Sequence, residues 1–314
     1  MSQYINLNRL EFVITDACSG QCKHCSNGER LNRSGSVDAD AAVTAVKRLA
    51  EKHEIQSVMT FGGEPLLFAE TVCKIHAAAR DYGIPKRQII TNGFFTKDSL
   101  KIDDVAKAIC VSGVNDILLS VDVFHQEFIP IDPVMQFAEA LLQYIAPSLR
   151  AHPVWVVNEE NDNPYNTETR RLLKLFADKG IKPSNGNNIF PSGNALKHLA
   201  EYFAPPEKLD LSTPCGSAPY TARLDEVSCI SINPNGDVSL CSITIGNIYT
   251  DDVITIVDGY DPYNNPVSKS VLNGGVAQLL RYAENQGVTI DISDCRSACG
   301  VCCKVMAAMK ERAK

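Results

Sequence analysis

Residues 10–25 read LEFVITDACSGQCKHC, an apolar run followed directly by three cysteines, Cys18, Cys22 and Cys25. The run Leu10–Ile14 is typical of a buried strand, so the cysteines lie in the loop at its carboxyl end, where barrel and open-sheet enzymes place their chemistry. These cysteines, here called the amino-terminal triplet, are one too few for a closed site with four protein ligands. On a four-iron cluster they would leave one iron open to bind and reduce a substrate. A structural zinc site is the alternative, although zinc knots usually pair their cysteines two by two.

A second loop, Phe61-Gly62-Gly63-Glu64-Pro65, follows the short apolar run Ser57–Thr60. The two glycines let the backbone approach a bound group closely, the carboxylate supplies charge, and the proline stiffens the exit from the turn. Alone, this loop would be an ordinary turn. At the end of a strand and after the triplet, it favours a cofactor site built at one edge of a sheet.

The two loops together resemble the radical S-adenosylmethionine superfamily, whose signature is this triplet with a bulky, often aromatic residue before its last cysteine, here His24. The resemblance implies a 4Fe-4S cluster on the triplet and a loop at Gly62, Gly63, Glu64 and Pro65 that binds the amino group of S-adenosyl-L-methionine. It also implies reductive cleavage to methionine and a 5′-deoxyadenosyl radical that abstracts a hydrogen atom. A protein such as flavodoxin or ferredoxin would supply the electron.

Composition excludes several other classes of function. The chain has 314 residues, a net charge of -7 and no dense block of basic residues, which argues against nucleic acid as a partner. It has neither a secretory core at its beginning nor a run of about 20 apolar residues, so we expect no membrane association and a cytoplasmic location. Twelve cysteines in such a chain favour metal or redox chemistry over disulfides.

Short apolar runs alternate with helical patterns over the first 200 residues or so, which predicts an α/β fold with a parallel sheet and right-handed crossovers. Asp38 is the predicted N-cap of the first helix, and a later helix is expected over residues 167–179. The spacing does not distinguish an open sheet from a barrel; the resemblance implies a partial (β/α)6 TIM-like barrel over residues 1–204. The predicted strands are Leu10–Ile14, Ser57–Thr60, Gln88–Thr91, Asp116–Val121, Pro153–Val157 and Asn188–Phe190.

Polar residues and glycines follow several of these strands at positions that resemble cofactor-binding positions of the superfamily. His125, which comes soon after the fourth strand, is interpreted as a loop residue, a substrate contact or a catalytic group. The resemblance adds five residues to the predicted cofactor site: Asn92, Ser120, Asp122, Gly193 and Asn194.

Residues 205–314 differ in composition and hold seven of the cysteines. Alternating apolar residues flank Asn233-Pro234-Asn235-Gly236, which predicts a hairpin. The region resembles the twitch or SPASM extensions of radical enzymes, which implies a small α+β domain with at least one auxiliary 4Fe-4S cluster. A zinc-binding cap is the alternative. The predicted ligands, here called the carboxyl-terminal thiols, are Cys215, Cys241, Cys299 and Cys302, with Cys229, Cys295 and Cys303 as alternates.

Enzymes with such extensions often modify ribosomally made peptides or proteins by crosslinking, epimerisation or oxidation, and this is the predicted function. Only 17 residues precede Cys18, so a peptide leader would need direct recognition or a separate carrier protein. A free Cys229 could donate a hydrogen atom to a substrate radical. The alternatives are a small-molecule dehydrogenase or carbon-skeleton enzyme, and a non-catalytic iron–sulfur or zinc carrier.

Overall fold

The structure, a computed structural model, describes residues 2–26, 28, 34–144, 148–203, 209–217 and 221–312. The chain divides into a larger unit, residues 9–203 with 232–236, and a smaller unit, residues 1–8, 204–231 and 237–314. The boundary predicted between residues 204 and 205 lies outside the described residues, and the assignment of the two domains stays a prediction.

Parallel strands form the core of the larger unit. The chain contains β1 (Ile5–Val13), β2 (Ser57–Phe61), β3 (Lys86–Thr91), β4 (Asp116–Ser120), β5 (Leu149–His152), β6 (Val154–Trp155), β7 (Lys182–Pro183) and β8 (Asn187–Asn188). The order β1-β2-β3-β4-β5-β7 is parallel throughout, and β6 pairs with β8 in a separate two-stranded sheet. The predicted α/β class with a parallel sheet is therefore confirmed, and the carboxyl ends of these strands share one edge.

Helices connect these strands: α1 (Ala39–Ala50), α2 (Ala69–Asp81), α3 (Ser99–Ser112), α4 (Val123–Gln126), α5 (Ile131–Gln143), α6 (Pro164–Ala177) and α7 (Asn194–His198). Asp38 caps α1 as predicted, because its carboxylate accepts a hydrogen bond from the backbone N–H of Ala41. The apolar face of α1 includes Val46 and Leu49, which are fully buried, as are Leu10 and Phe12 of β1. Burying a side chain of this size stabilises the fold by about 1.5–3 kcal/mol.

The predicted fifth and sixth strands are wrong in position. The strand that pairs with β4 is Leu149–His152, whereas the more apolar run Pro153–Val157 contributes only β6 to the small sheet. Pro153 lacks the N–H that continued pairing would need, so β5 ends at His152. The sheet continues through Lys182–Pro183, and the predicted strand at 188–190 overlaps only β8. Likewise, α6 begins at Pro164, before the predicted residue 167, because Asn163 caps it.

The smaller unit contains β9 (Val227–Ile232), β10 (Asp237–Leu240), β11 (Ile243–Asn247), α8 (Val253–Asp258), α9 (Pro266–Asn285) and α10 (Ala298–Arg312). β10 lies between β9 and β11, and it pairs with β11 in antiparallel fashion. In the connection from β9 to β10, Gly236 donates its N–H to the carbonyl of Asn233, as the predicted hairpin requires. Within the described ranges, no helix is long and apolar enough to cross a membrane.

Candidate active site

A cavity of about 740 Å³ opens at the carboxyl ends of the parallel strands in the larger unit. Its volume lies in the range of about 300–1,000 Å³ that is usual for small-molecule sites. All three cysteines of the triplet line it, together with Gly62 and Gly63. The fold therefore gathers the two loops that the sequence singled out into one site. Four more predicted residues line the same cavity: His24, Asn92, Ser120 and Asn194.

The triplet is held by backbone and side-chain donors. The sulfur of Cys18 accepts hydrogen bonds from the N–H of Gly20 at 3.4 Å and from the amide nitrogen of Asn92 at 3.8 Å. Cys25 donates its N–H to the carbonyl of Cys22, whose side chain is buried. Three soft thiol ligands around one cavity, with donors aimed at a sulfur, fit an iron–sulfur cluster bound through three cysteines.

The Gly62–Gly63 loop packs on the segment that leads into the triplet. Gly63 donates its N–H to the carbonyl of Thr15 at 2.7 Å, and Glu64 donates its N–H to the carbonyl of Ala17 at 2.8 Å. Gly62 has a φ of 144°, and a Cβ atom there would lie 2.6 Å from the Thr15 carbonyl oxygen. Glycine is therefore required at residue 62 by a close backbone approach inside the protein.

Glu64 ties two strand ends together. Its carboxylate is fully buried and accepts hydrogen bonds from the N–H of Leu66, the hydroxyl of Thr91 and the N–H of Asn92, at 2.6–2.9 Å. Burial raises the pKa of Glu64 to about 7, against the opposing effect of these hydrogen bonds. In this structure the Glu64 carboxylate thus accepts its hydrogen bonds from groups of the protein. The next residue, Pro65, begins a short 3-10 helix over Pro65–Phe68.

Asp122 orients a histidine toward the triplet. Its buried carboxylate accepts hydrogen bonds from the N–H groups of Phe124 and His125 and from Nδ1 of the His125 ring, at 2.8–3.0 Å. Ligand atoms of His125, Cys22 and His24 lie within 4.8 Å of one another. Burial opposes protonation of His125, but Asp122 and Cys22 outweigh it and raise its pKa well above the usual value. Asp122 therefore acts on the cavity through His125, which lines it.

His24 occupies the position before the last cysteine of the triplet. Its ring lies 5.0 Å from that of His125 and 5.4 Å from that of Phe124, measured between centroids. Burial and the neighbouring His125 lower the pKa of His24 to about 4, so the ring is neutral near pH 7. Its Nδ1 atom is buried without a hydrogen-bond partner among the described residues.

Gly193 and Asn194 fasten the loop after β8 to the triplet. Asn194 donates its backbone N–H to the carbonyl of Cys25 at 3.0 Å and its side-chain amide to the carbonyl of Cys22 at 3.3 Å. Gly193 has a φ of 55°, and a Cβ atom there would lie 2.5 Å from the carbonyl oxygen of Ser26. Gly193 therefore packs closely against the backbone of the triplet loop.

Sequence reasoning missed His152, which lies at the end of β5 beside Ser120 of β4. The side chain of Asn187 donates to Nε2 of His152 at 3.0 Å, and Nδ1–H then donates to the hydroxyl of Ser184 at 2.7 Å. Burial lowers the pKa of His152. A correct position for the fifth strand would have revealed it. Further cavity-lining residues that the prediction lacked include Phe128, Asn187, Asn188, Lys197 and His198.

The smaller unit brings together the carboxyl-terminal thiols. Burial and the thiols of Cys303, Cys215, Cys241 and Cys299 raise the pKa of Cys302 to about 12. Burial and the thiols of Cys303, Cys299 and Cys215 likewise raise the pKa of Cys241. A bound cation would relieve this mutual disfavouring of thiolates.

The other cysteines of this unit and Cys241 have different surroundings. Cys241 has a φ of 54°, a conformation that a residue with a side chain adopts only when its surroundings impose it. Cys295 is buried, and its thiol lies 3.8 Å from the carboxylate of the adjacent Asp294. The thiol of Cys229 contacts the carbonyl of Ile230 at 3.8 Å, and Cys303 is exposed with its sulfur 3.3 Å from the Ser242 hydroxyl.

Comparison with known proteins identifies a family. A sequence profile of the Radical SAM superfamily matches residues 12–193. L-lysine 2,3-aminomutase of Acetoanaerobium sticklandii is 22% identical over 194 residues, which are 61% of this chain and 38% of that protein. The chain thus spans well under half the length of this relative.

Two solved structures are similar in fold. Native anSMEcpe with bound AdoMet and Cp18Cys peptide has a TM-score of 0.50 and 15% identity, covering 98% of this chain and 97% of that chain. Streptococcus suis SuiB bound to the precursor peptide SuiA has a TM-score of 0.51 and 14% identity, covering 85% of this chain and 67% of that chain. At such identities the likeness shows the fold alone.

Proposed function

This chain belongs to the radical SAM superfamily, and from that premise we propose that it is an oxidoreductase that cleaves S-adenosylmethionine reductively and abstracts a hydrogen atom from a peptide or protein. The observation that carries the proposal is the cavity in which the amino-terminal triplet meets the Gly62–Gly63 loop. When bound, the 4Fe-4S cluster and S-adenosylmethionine supply one-electron carbon–sulfur cleavage and a hydrogen-abstracting radical.

In this proposal the protein holds and orients these groups. Cys18, Cys22 and Cys25 would ligate the cluster, while the donors from Gly20 and Asn92 stabilise charge on the Cys18 sulfur. The Gly63 backbone and the Ser120 hydroxyl, at the ends of β2 and β4, would bind the amino and carboxylate groups of the cofactor. The apolar and aromatic part of the lining, including Phe61 and Phe190, would exclude water.

Methionine formation tests this activity. Anaerobically reconstituted protein should release methionine from S-adenosylmethionine with dithionite, or with a flavodoxin or ferredoxin system as the reductant. The variant with alanine at Cys18, Cys22 and Cys25 should release none. Equal rates in wild type and the triple variant would refute the assignment of the catalytic cluster, and the absence of cleavage in both would favour an iron–sulfur carrier.

A peptide substrate is supported by the two similar folds, which were solved with peptides. The competing small-molecule substrate is supported by the match to an enzyme named for L-lysine. Deuterium transfer separates the two. A deuterated peptide from any short gene found beside this one, given alone or with a carrier protein, should label 5′-deoxyadenosine, and deuterated L-lysine should not. Label from L-lysine alone would favour the small-molecule alternative.

The proposal gives residues 205–314 the role of a twitch- or SPASM-like domain with an auxiliary 4Fe-4S cluster. Support comes from Cys215, which is among the thiols whose charge acts on Cys241 and Cys302. In the background that lacks the triplet, Cys215→Ala should lose the auxiliary iron and Cys229→Ala should keep it. The reverse result would make Cys229 the ligand and would remove its proposed role as hydrogen donor. Zinc in place of iron after anaerobic purification would favour the cap alternative.

A further inference from the structure

The helix α9 of the smaller unit is broken in its middle. Gly274 has φ −153° and ψ 26°, and Gly275 has φ 62° and ψ −163°, so neither residue is helical. The conformation of Gly275 is essentially restricted to glycine. The break also leaves the first N–H groups of the second half of α9 without the carbonyl four residues earlier that would normally accept from them.

A loop from elsewhere in the chain, residues 211–213, packs against this break. The carbonyl of Leu211 accepts a hydrogen bond at 2.9 Å from the N–H of Ala277, one of the donors that the break exposes. A Cβ atom on Gly275 would lie 2.8 Å from the carbonyl oxygen of Leu211 and 2.9 Å from that of Thr213. Both neighbours are backbone atoms, so a side chain at residue 275 would push the loop itself away.

The loop of residues 211–213 is held by internal hydrogen bonds and leads directly to Cys215. The carboxylate of Asp210 accepts from the N–H and the hydroxyl of Ser212, at 2.9 and 2.6 Å. The hydroxyl of Thr213 donates to the carbonyl of Asp210 at 2.6 Å. On the other side of Cys215, a Cβ atom on Gly216 would lie 2.7 Å from the backbone nitrogen of Arg223. Displacement of residues 211–213 would therefore move the thiol of Cys215.

From these contacts we infer that the break at Gly275 positions Cys215 as the fourth ligand of the auxiliary cluster. The inference rests on the proposed function of the smaller unit and deepens it. A strand end and a helix supply Cys241, Cys299 and Cys302. In contrast, Cys215 lies beside a loop whose position depends on its contacts with α9. Gly275 acts through Cys215 and is a positioning residue.

Two glycine substitutions test the inference, because adjacent positions differ in what a methyl group would meet. The three atoms nearest to a Cβ atom on Gly274 belong to the side chain of Gln278 and not to the loop of residues 211–213. In the background that lacks the triplet, Gly275→Ala should lose auxiliary iron to the level of Cys215→Ala, and Gly274→Ala should retain it. Combining Gly275→Ala with Cys215→Ala should cause no further loss. Full auxiliary iron in a folded Gly275→Ala protein would overturn the inference.

Alkylation of the apo protein gives a readout that does not depend on a cluster. Mass spectrometry should show faster alkylation of Cys215 in Gly275→Ala than in Gly274→Ala, with Cys73 and Cys110 unchanged as internal references. If the parent without the triplet binds no iron, the proposed auxiliary cluster fails, whereas the alkylation rates still decide whether Gly275 places Cys215. Unchanged rates at Cys215 would overturn the positioning role.

A milder variant guards against misfolding of Gly275→Ala. Ala277→Pro removes the N–H that binds the Leu211 carbonyl, at a first-turn position where proline is tolerated. It should also lower auxiliary iron and speed alkylation of Cys215. If an Ala277→Pro protein has the iron content and the Cys215 alkylation rate of the parent, the contact of Leu211 with α9 does not position Cys215.

Discussion

The amino-terminal triplet and the carboxyl-terminal thiols are assembled in different ways. Cys18, Cys22 and Cys25 lie within eight residues of one loop, and the groups that hold them come from loops at the ends of other strands. The carboxyl-terminal thiols come from three distant stretches, and only the fold of the smaller unit brings them together. Each site therefore depends on its surroundings in a different way.

The difference shows where each site is vulnerable. A local triplet keeps its spacing even when neighbouring elements shift, so its function should depend on the loops that aim it, such as Gly62, Glu64 and Gly193. A site collected from distant stretches loses a ligand when a single supporting element moves. The break in α9 is an element of this kind, and no comparable long-range support is needed to keep Cys22 near Cys25.

The largest expected effect comes from removing each set of thiols separately. Alanine at the three triplet positions should abolish cleavage of S-adenosylmethionine and leave auxiliary iron bound. Alanine at Cys241 and Cys299 should leave cleavage intact while product formation from the substrate stops. Iron analysis, methionine release and product mass measured on both variants check the separation. Loss of all iron in either variant would show that the two sites are not independent.

Gly62 tests the close packing that aims the triplet. Gly62→Ala places a Cβ atom 2.6 Å from the Thr15 carbonyl oxygen at a φ of 144°. Strain and overpacking together should lower the free energy of unfolding by about 2–5 kcal/mol. Gly83→Ala is the matched control, because Gly83 also has a positive φ, 71°, but a Cβ atom there meets nothing within 4 Å.

Denaturant unfolding of the apo proteins measures both changes. The control should lose only about 1–2 kcal/mol, the cost of the left-handed conformation. Equal losses in the two variants would mean that the Gly62 loop does not press on the segment that leads to the triplet.

Glu64 gives the same region a pH dependence. Its pKa is about 7 in the folded protein against an ordinary value of 4.5, because burial disfavours the carboxylate. As the pH rises, Glu64 therefore ionises in the unfolded chain before it ionises in the folded protein. Its contribution to the free energy of unfolding is present below pH 4.5 and is lost as the pH approaches 7. The loss should be about 3 kcal/mol in the apo protein.

Glu64→Gln should remove this slope, because an amide does not titrate, so the stability contributed at residue 64 should be nearly constant over the same range. Denaturation midpoints measured between pH 4.5 and 7.5 compare the two proteins. Identical slopes would show that Glu64 has an ordinary pKa in the fold.

The features that could be predicted from the sequence are those that depend on neighbouring residues, as the amino-terminal triplet does. The triplet and the Gly62–Gly63 loop follow from local patterns, and the first four strands overlap their predicted ranges, although β1 begins at Ile5 and β3 at Lys86. His152 was missed because it depends on the register of β5, whose own residues include Arg150 and His152 and look less like a strand than the apolar run after them.

Long-range arrangements could not be predicted for a different reason. Nothing in the stretch around Cys215 indicates that its loop sits against Gly275, because that contact joins residues more than 60 apart in sequence. Nor does the sequence indicate that Gly193 packs against carbonyl groups of the triplet loop. Sequence pattern reports which residues are chemically suited to a site, and packing decides which of them face it.

The smallest expected effect concerns Ser120, which lines the cavity at the end of β4. If its hydroxyl binds the cofactor carboxylate, Ser120→Ala removes one hydrogen bond to a charged group, worth about 1.5–3 kcal/mol. The affinity for S-adenosylmethionine should then fall about ten- to hundredfold with iron content unchanged. Ser112→Ala is the control, because that buried hydroxyl donates to the Ile109 carbonyl on α3, away from the cavity.

Gly63→Val should weaken binding of S-adenosylmethionine more than Ser120→Ala, since a side chain at residue 63 would block the backbone approach. Calorimetry on the anaerobically reconstituted variants gives the three affinities. Unchanged affinity in Ser120→Ala would place the cofactor carboxylate elsewhere in the cavity, and lost iron would mean that Ser120 acts on the triplet.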